Sequence, residues 1–262
     1  MRRNVLISIL IILSFVLAYL IATEPTHTQI YYTNKQSNSI SKPIAKEVTS
    51  QTKDIPPIPD KIKNTTETKK IINHSVPFTS QAPTGDWADK RQQDGCEEAS
   101  ALMAMYWTMG KSLSKEEALT KILAISDFEQ NKYGEYRDIS LTDIKDWIFN
   151  DYFKYTDVEI QINITETDII KELEAGNIIL LPMNGQKLNN PYFTAPGPER
   201  HMIIIRGYDP KTNEFITNDP GTKRGEGFRY SIETIMKAIL VYPTGYHAPA
   251  NDSLKNMLVV KK

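Results

Sequence analysis

A thiol, an imidazole and a carboxylate are the side chains from which this sequence can build nucleophilic chemistry. The chain has one cysteine, Cys96, and four histidines. A cysteine nucleophile needs a base near the sulfur and a third group that orients the base. His27 lies in a polar N-terminal stretch, His74 at the edge of the apolar region and His247 after Pro243 and Gly245. His201 differs, because it opens the apolar run HMIIIRGY directly after a loop rich in Gly and Pro. A strand end at a loop is where a polar ring meets a cleft. Asp219 is the matching carboxylate. If Tyr208 pairs with Glu214 across the turn at 209–213, Ile203 faces Asp219, and His201, Ile203 and Asp219 share one face of the hairpin. A shift by one pair puts Asp219 opposite His201. Either register leaves the two Cβ atoms roughly 5–8 Å apart, within bridging reach. Asp219 is also a turn residue by its place before Pro220-Gly221, a common use of aspartate.

Cys96 must be positioned by a helix. Polar loop residues (Gln92, Gln93, Asp94, Gly95) give way to a helical run in which Cys96, Ala99, Ser100, Met103 and Trp107 fall on one face. Asp94 is the expected cap, and Glu97 and Glu98 suit the first turn of a helix dipole. A thiolate at a helix start gains from unpaired backbone N–H groups. A carboxylate of Glu97 or Glu98 turned toward the sulfur would instead raise the thiol pKa. A lone cysteine also serves as a small buried hydrophobe.

The remaining elements place the catalytic hairpin late in the chain. Ser114 and Glu117 form a capping-box pattern opening a helix to about Ile125, and 140–150 and 165–174 read as further helices. Strands follow at 158–164, 177–183, 201–208 and 214–218, with a short helix at 231–239 and a last strand at 240–242. Helices first and strands afterwards predict an α+β domain with a mostly antiparallel sheet. The loop at 184–200, carrying Tyr192 and Phe193, is long enough to suggest a groove wall or lid. The loop at 82–95, with Trp87, supplies the facing wall.

The N-terminus runs Met-Arg-Arg-Asn and then apolar from Val5 to Ala22. As a helix this run reaches about 27 Å, close to the bilayer core. A cleaved signal peptide and an uncleaved anchor both fit. Leu20 stands where a cleavage site wants a small residue, which favours an anchor over 1–23. Arg2 and Arg3 before it put the N-terminus inside and the bulk of the chain outside the cell membrane. Residues 24–72 are polar and punctuated by prolines, the composition of a disordered stalk. That leaves one domain at 73–245 and a C-terminal tail at 246–262, which either hangs free or packs back through Leu254, Leu258, Val259 and Val260. Net charge is −1, which gives a nucleic-acid partner no support. The sequence has no metal-ligand spacing and no Gly-rich phosphate loop, so no metal or other cofactor is expected.

The order of VPFTSQ (76–81), DGCEEAS (94–100), HMIIIRGYDP (201–210) and ITNDPGT (216–222) resembles the papain-like cysteine peptidases of family C-39, relatives of the bacteriocin double-glycine leader peptidases. The resemblance covers about Val76 to Tyr242. It implies a papain-like fold and a triad in which Cys96 is the nucleophile, His201 the base and later the acid, and Asp219 the orienter. It also implies an oxyanion glutamine upstream of the cysteine. The position six residues before Cys96 is Lys90, so the candidates are Gln81, which requires its loop to fold back, and Gln93 or Gln92. The expected activity is that of a membrane-anchored, extracytoplasmic peptidase acting on a peptide or protein, including cell-wall peptide, through a thioester. The alternatives are a surface binding module with an idle triad and a cell-wall peptide hydrolase or transferase using the same residues.

Overall fold

A computed structural model of the chain describes residues 70–262; the anchor expected at 1–23 and nearly all of the stalk, with His27, lie outside the described residues. The described part opens with a two-residue strand, β1 (Ile72–Asn73), and a loop leading to the short helix α1 (Lys90–Gln93), capped by the Asp89 carboxylate. Helix α2 (Cys96–Thr108) follows. Its N-cap is Gly95, with no side-chain cap bond, whereas Asp94 ends α1 instead of capping α2. Gly95 is required there, because a Cβ at that position would stand 2.4 Å from the Arg91 carbonyl oxygen. Helix α2 is buried all round and has no single inward stripe, because other elements cover every side of it.

Helix α3 (Lys115–Tyr133) starts where the sequence places it, with the Glu117 N–H donating to the Ser114 hydroxyl at 3.1 Å. It runs past the expected end near Ile125 to Gly134, whose φ of 83° is the left-handed stop that glycine supplies. Helix α4 (Leu141–Asp143) continues as a π-helix (Ile144–Tyr152). Then come β2 (Val158–Ile162), α5 (Glu166–Glu174) with its Thr165/Asp168 capping box, β3 (Ile178–Met183) and the turn-like α6 (Gly185–Leu188). The hairpin β4 (His201–Asp209) and β5 (Glu214–Asn218) is followed by β6 (Glu226–Ser231), α7 (Ile232–Ala238) and β7 (Asn256–Val260).

The strands form one seven-stranded sheet in the order β2-β7-β3-β4-β5-β6, with β1 paired to the far half of β4, and every pairing is antiparallel. Along β3, β4 and β7 alternate residues serve two cores. Leu180, Met202, Ile204, Leu258 and Val260 pack with α2 and α3 on one side. Ile179, Leu181, Ile203, Ile205, Met257 and Val259 pack with α5 and α7 on the other. That double burial explains why these strands read as continuous apolar runs.

The structure redraws the C-terminal part. Residues 246–262, set apart as a tail, contribute β7, which lies between β2 and β3 and buries Met257 to Val260. The domain therefore extends past residue 245, and at its other end it takes in Ile72. Residues 240–242 form no strand; one isolated bridge occurs there, Val241 with Asn251. β6 was not expected, because its glycine and charged residues mask the pattern. The hairpin register also differs at the turn. Tyr208 faces Phe215 and Asp209 faces Glu214, one step from the expected pairing. A bulge at Arg206 absorbs that step, so Ile204 faces Asn218, the expected register at the far end of β5.

Between α2 and α3 lies a group of buried acids. Glu98 accepts from the Ser126 hydroxyl at 2.8 Å, while its other oxygen and both oxygens of Glu129 have no hydrogen-bond partner. Burial first, then the neighbouring carboxyls, pushes both well above the ordinary carboxylate range. A carboxyl whose folded pKa is raised contributes stability at low pH that is lost as pH rises from the ordinary value toward the folded one. Glu129→Gln keeps the shape and removes the charge. It should raise the thermal midpoint near pH 8 by several degrees, at about 2–4 °C per kcal/mol, and give no gain near pH 4. A midpoint shift equal at both pH values would refute the assignment of Glu129 as a raised acid.

Candidate active site

The carboxylate of Asp219 sits just beyond β5 and is 0% exposed. Four donors converge on it. The His201 ring donates from Nε2 to Oδ1 at 2.7 Å, and the Gly221 backbone N–H donates to the same oxygen at 3.0 Å. The Tyr230 hydroxyl donates to Oδ2 at 2.6 Å and the Asn190 amide at 3.2 Å. Burial pushes this carboxyl up, but the charge and hydrogen bond of His201, the Tyr230 hydroxyl and the Gly221 N–H outweigh it and hold Asp219 below its ordinary value. Asp219 thus serves its turn, through Gly221, and the imidazole with the same oxygen.

His201 is 1% exposed and opens β4. Phe193 lies edge-on to its ring with centroids 5.4 Å apart. Gly221 packs so closely that a Cβ there would stand 2.9 Å from the His201 Cε1. With Nε2 committed to Asp219, Nδ1 is the nitrogen left for other work. The loop 184–200 therefore backs the imidazole–carboxylate pair through Asn190 and Phe193, in addition to exposing Tyr192.

Cys96 is the first residue of α2 and is 7% exposed. Its helix is tied to the His201 strand twice. The Ser100 hydroxyl donates to the Met202 carbonyl at 3.3 Å. The Tyr242 hydroxyl lies 2.8 Å from Glu97 Oε1 and 3.3 Å from the His201 carbonyl oxygen. The thiol itself donates to Glu97 Oε2 at 3.0 Å. So one of the two acids beside the cysteine has turned to the sulfur. Burial pushes the Cys96 thiol well up, and Glu97, Glu98 and Asp138 push it further. In this arrangement Cys96 is a protonated thiol.

The loop from Ala82 folds back as a role for Gln81 requires. The Gln81 backbone N–H donates to the Pro220 carbonyl at 2.9 Å, and its Nε2 donates to the carbonyls of Gln92 at 3.1 Å and Gln93 at 2.7 Å. Gln81 thus joins the residues before Cys96 to the residue after Asp219. Gln92 is buried, whereas the Gln93 side chain points outward and accepts from Lys90 at 2.7 Å. Of the remaining histidines, His74 engages the Leu173 carbonyl at 3.0 Å and His247 is exposed near Glu199. Among the described residues no group of three or more His, Cys, Asp or Glu is arranged to hold a metal ion.

A family model described as the Peptidase_C39 like family matches residues 73–244. The chain belongs to that family. C39-like membership carries with it the papain-like α+β fold and indicates a cysteine peptidase. A solved structure from Bacillus anthracis, described as a candidate C39-like peptidase, is similar with a TM-score of 0.45 and 13% identity, covering 74% of this chain and 99% of that one. No curated protein matches the chain. Among the described residues no helix is long and apolar enough to cross a membrane.

Sequence reasoning singled out Cys96, His201, Asp219 and Gln81 but missed Tyr230, Asn190 and Tyr242. Their hydroxyl and amide groups act across long chain separations, and no local pattern marks them. Removing one donor from the buried Asp219 tests the cluster. Tyr230→Phe should destabilise the fold by about 1–3 kcal/mol at neutral pH in urea unfolding. Because the folded Asp219 pKa is depressed, its contribution is present above the ordinary value and fades as pH falls through the folded one. The difference between the two proteins should therefore shrink in acid; a difference that stays constant would argue against Asp219 as its source.

Proposed function

We propose that this C39-like chain is a membrane-anchored, extracytoplasmic cysteine peptidase that uses Cys96, His201 and Asp219. The observation that carries the reading is the buried Asp219 carboxylate locking Nε2 of His201 at 2.7 Å, with the His201 strand tied to the helix that begins at Cys96. In the proposed reaction His201 Nδ1 takes the thiol proton and the sulfur attacks the substrate carbonyl carbon. His201 then gives the proton to the leaving amine, and water, deprotonated by His201, releases the acyl group from the thioester. The backbone N–H of Cys96 and the Gln81 amide are the proposed donors to the oxyanion. Gln81 reaches that role by exchanging its longer bond, to the Gln92 carbonyl, for the substrate oxygen. Trp87 and Tyr192, exposed on the two loops beside the site, are the proposed contacts for peptide side chains.

The substrate proposed is a peptide or protein outside the cell, cell-wall peptide included, and the attachment proposed is the apolar run from Val5 to Ala22. The buried, carboxylate-bound thiol favours a second reading, a surface binding module whose triad is idle.

Turnover separates the two readings. The full-length chain, recovered from the membrane fraction, should cleave members of a mixed peptide library. Cys96→Ala and His201→Ala should each lower that activity by at least about 10³-fold, as loss of a group acting in concert does. Gln81→Ala should lower it by about 10²–10³-fold, and Gln93→Ala should leave it unchanged. Turnover that survives in Cys96→Ala would remove the peptidase reading.

A further inference from the structure

Glu97 follows the proposed nucleophile directly, and its two oxygens are both spoken for by the site. Oε2 accepts from the Cys96 thiol at 3.0 Å, and Oε1 accepts from the Tyr242 hydroxyl at 2.8 Å. Tyr242 also lies against the His201 carbonyl, so the carboxyl is fixed between the two halves of the site. Glu97 is 1% exposed. A carboxylate bridging the thiol to a tyrosine that touches the base strand is an odd structural filler, because it opposes formation of the thiolate that catalysis needs.

We propose that Glu97 is a further catalytic group that sets the charge state of Cys96, holding it as a thiol while the carboxylate is ionised and donating to the thiolate once the carboxyl is protonated. This rests on the reading of Cys96 as the nucleophile. The proton balance is simple. One proton from solvent enters at Glu97, and the thiol proton moves from sulfur to His201 Nδ1. The site passes from thiol, neutral imidazole and two carboxylates (Glu97 and Asp219) to thiolate, imidazolium, one carboxylate and one carboxylic acid. Two adjacent anions at the sulfur never arise, and the Glu97 O–H replaces the S–H as the hydrogen-bond donor between the same two atoms.

The surroundings place this switch in an accessible range. Burial, with the charge of Asp138 adding to it, pushes Glu97 up to about 7 against the lowering effect of its bonds to Cys96 and Tyr242. The groups facing it are Cys96 and Glu98 on its own helix, Glu129 from α3, Asp138 from the loop before α4, and Tyr242, whose hydroxyl also lies against the His201 carbonyl. Asp138 is itself held by Arg200 at 3.5 Å, so its charge is partly offset. Reactivity of the sulfur is therefore favoured on the acid side of the Glu97 titration and suppressed above it, the reverse of an isolated thiol.

The test reads the thiol directly. The chain has one cysteine, so alkylation by iodoacetamide and the infrared S–H stretch each report Cys96 alone. In the full chain, Glu97→Gln should speed alkylation near pH 8 by on the order of tenfold, one unit of thiol pKa, and change it by less than about twofold near pH 5.5. Equal rates at both pH values, or an equal acceleration at both, would overturn the proposal, since simple loosening of the packing does not depend on pH. In the unaltered chain the S–H band should lose intensity as pH falls from about 8 to about 6, as the thiol proton leaves the sulfur and the Glu97 carboxyl takes up its own. A band that keeps its intensity would also overturn it, and this measurement decides alone where the Glu97 variant does not fold. Neither readout uses turnover. If Cys96→Ala keeps its peptidase activity while the thiol titrates as described, the functional reading fails and the Glu97–Cys96 coupling stands.

Discussion

A fully buried carboxylate is tolerated only when its charge is matched by hydrogen bonds, and Asp219 is the place where this fold meets that condition. Its donors come from the start of β4, the turn at Gly221, strand β6 and the loop 184–200. No two of them are neighbours in sequence. Satisfying one charge therefore ties four segments together, and the imidazole of His201 is held by the same act. The close contacts around it follow from this. Gly221 leaves room for the ring, and Gly225 leaves room for the Asp219 backbone, where a Cβ would stand 1.8 Å from the carbonyl oxygen.

The acids around α2 present the opposite case. Glu98 and Glu129 are buried with few donors, so their charge is disfavoured and their protons are retained. The two clusters push in opposite senses. Asp219 is held below its ordinary value by its donors. Glu97 is held near its titration point and governs whether the sulfur carries charge. The proposed activity depends on both, because a thiolate–imidazolium pair needs support for its cation and tolerance of its anion.

The hairpin shows how far sequence patterning reaches. The pairing at the turn is one step from the expected one, yet Ile204 faces Asn218 in the expected register because the bulge at Arg206 absorbs the difference. The bulge stands beside Gly207, where a Cβ would stand 2.3 Å from the Ile72 carbonyl oxygen as β1 crosses. The approach of β1 is a tertiary event with no trace in the hairpin's own sequence. The same holds for β7, whose residues look like a tail until their partners β2 and β3 are known.

What the sequence by itself determined was local: the helix that begins at Cys96, the cap at Ser114, the apolar runs of β3 and β4, and a histidine and an aspartate on one face of a hairpin. These follow from periodicity and turn chemistry, which act over a few residues. The family motifs added the roles to be expected of those residues. Only the tertiary structure decided what surrounds them. It brought Tyr230 and Asn190 to Asp219, Tyr242 to Glu97, and Glu97 rather than the helix start to the sulfur. Those contacts span from 1 to 145 positions along the chain, with Glu97 bonded to Cys96 at one extreme and to Tyr242 at the other. Spacing says nothing at either limit. At the first, a rotamer decides, and at the second, the packing of the whole sheet against α2.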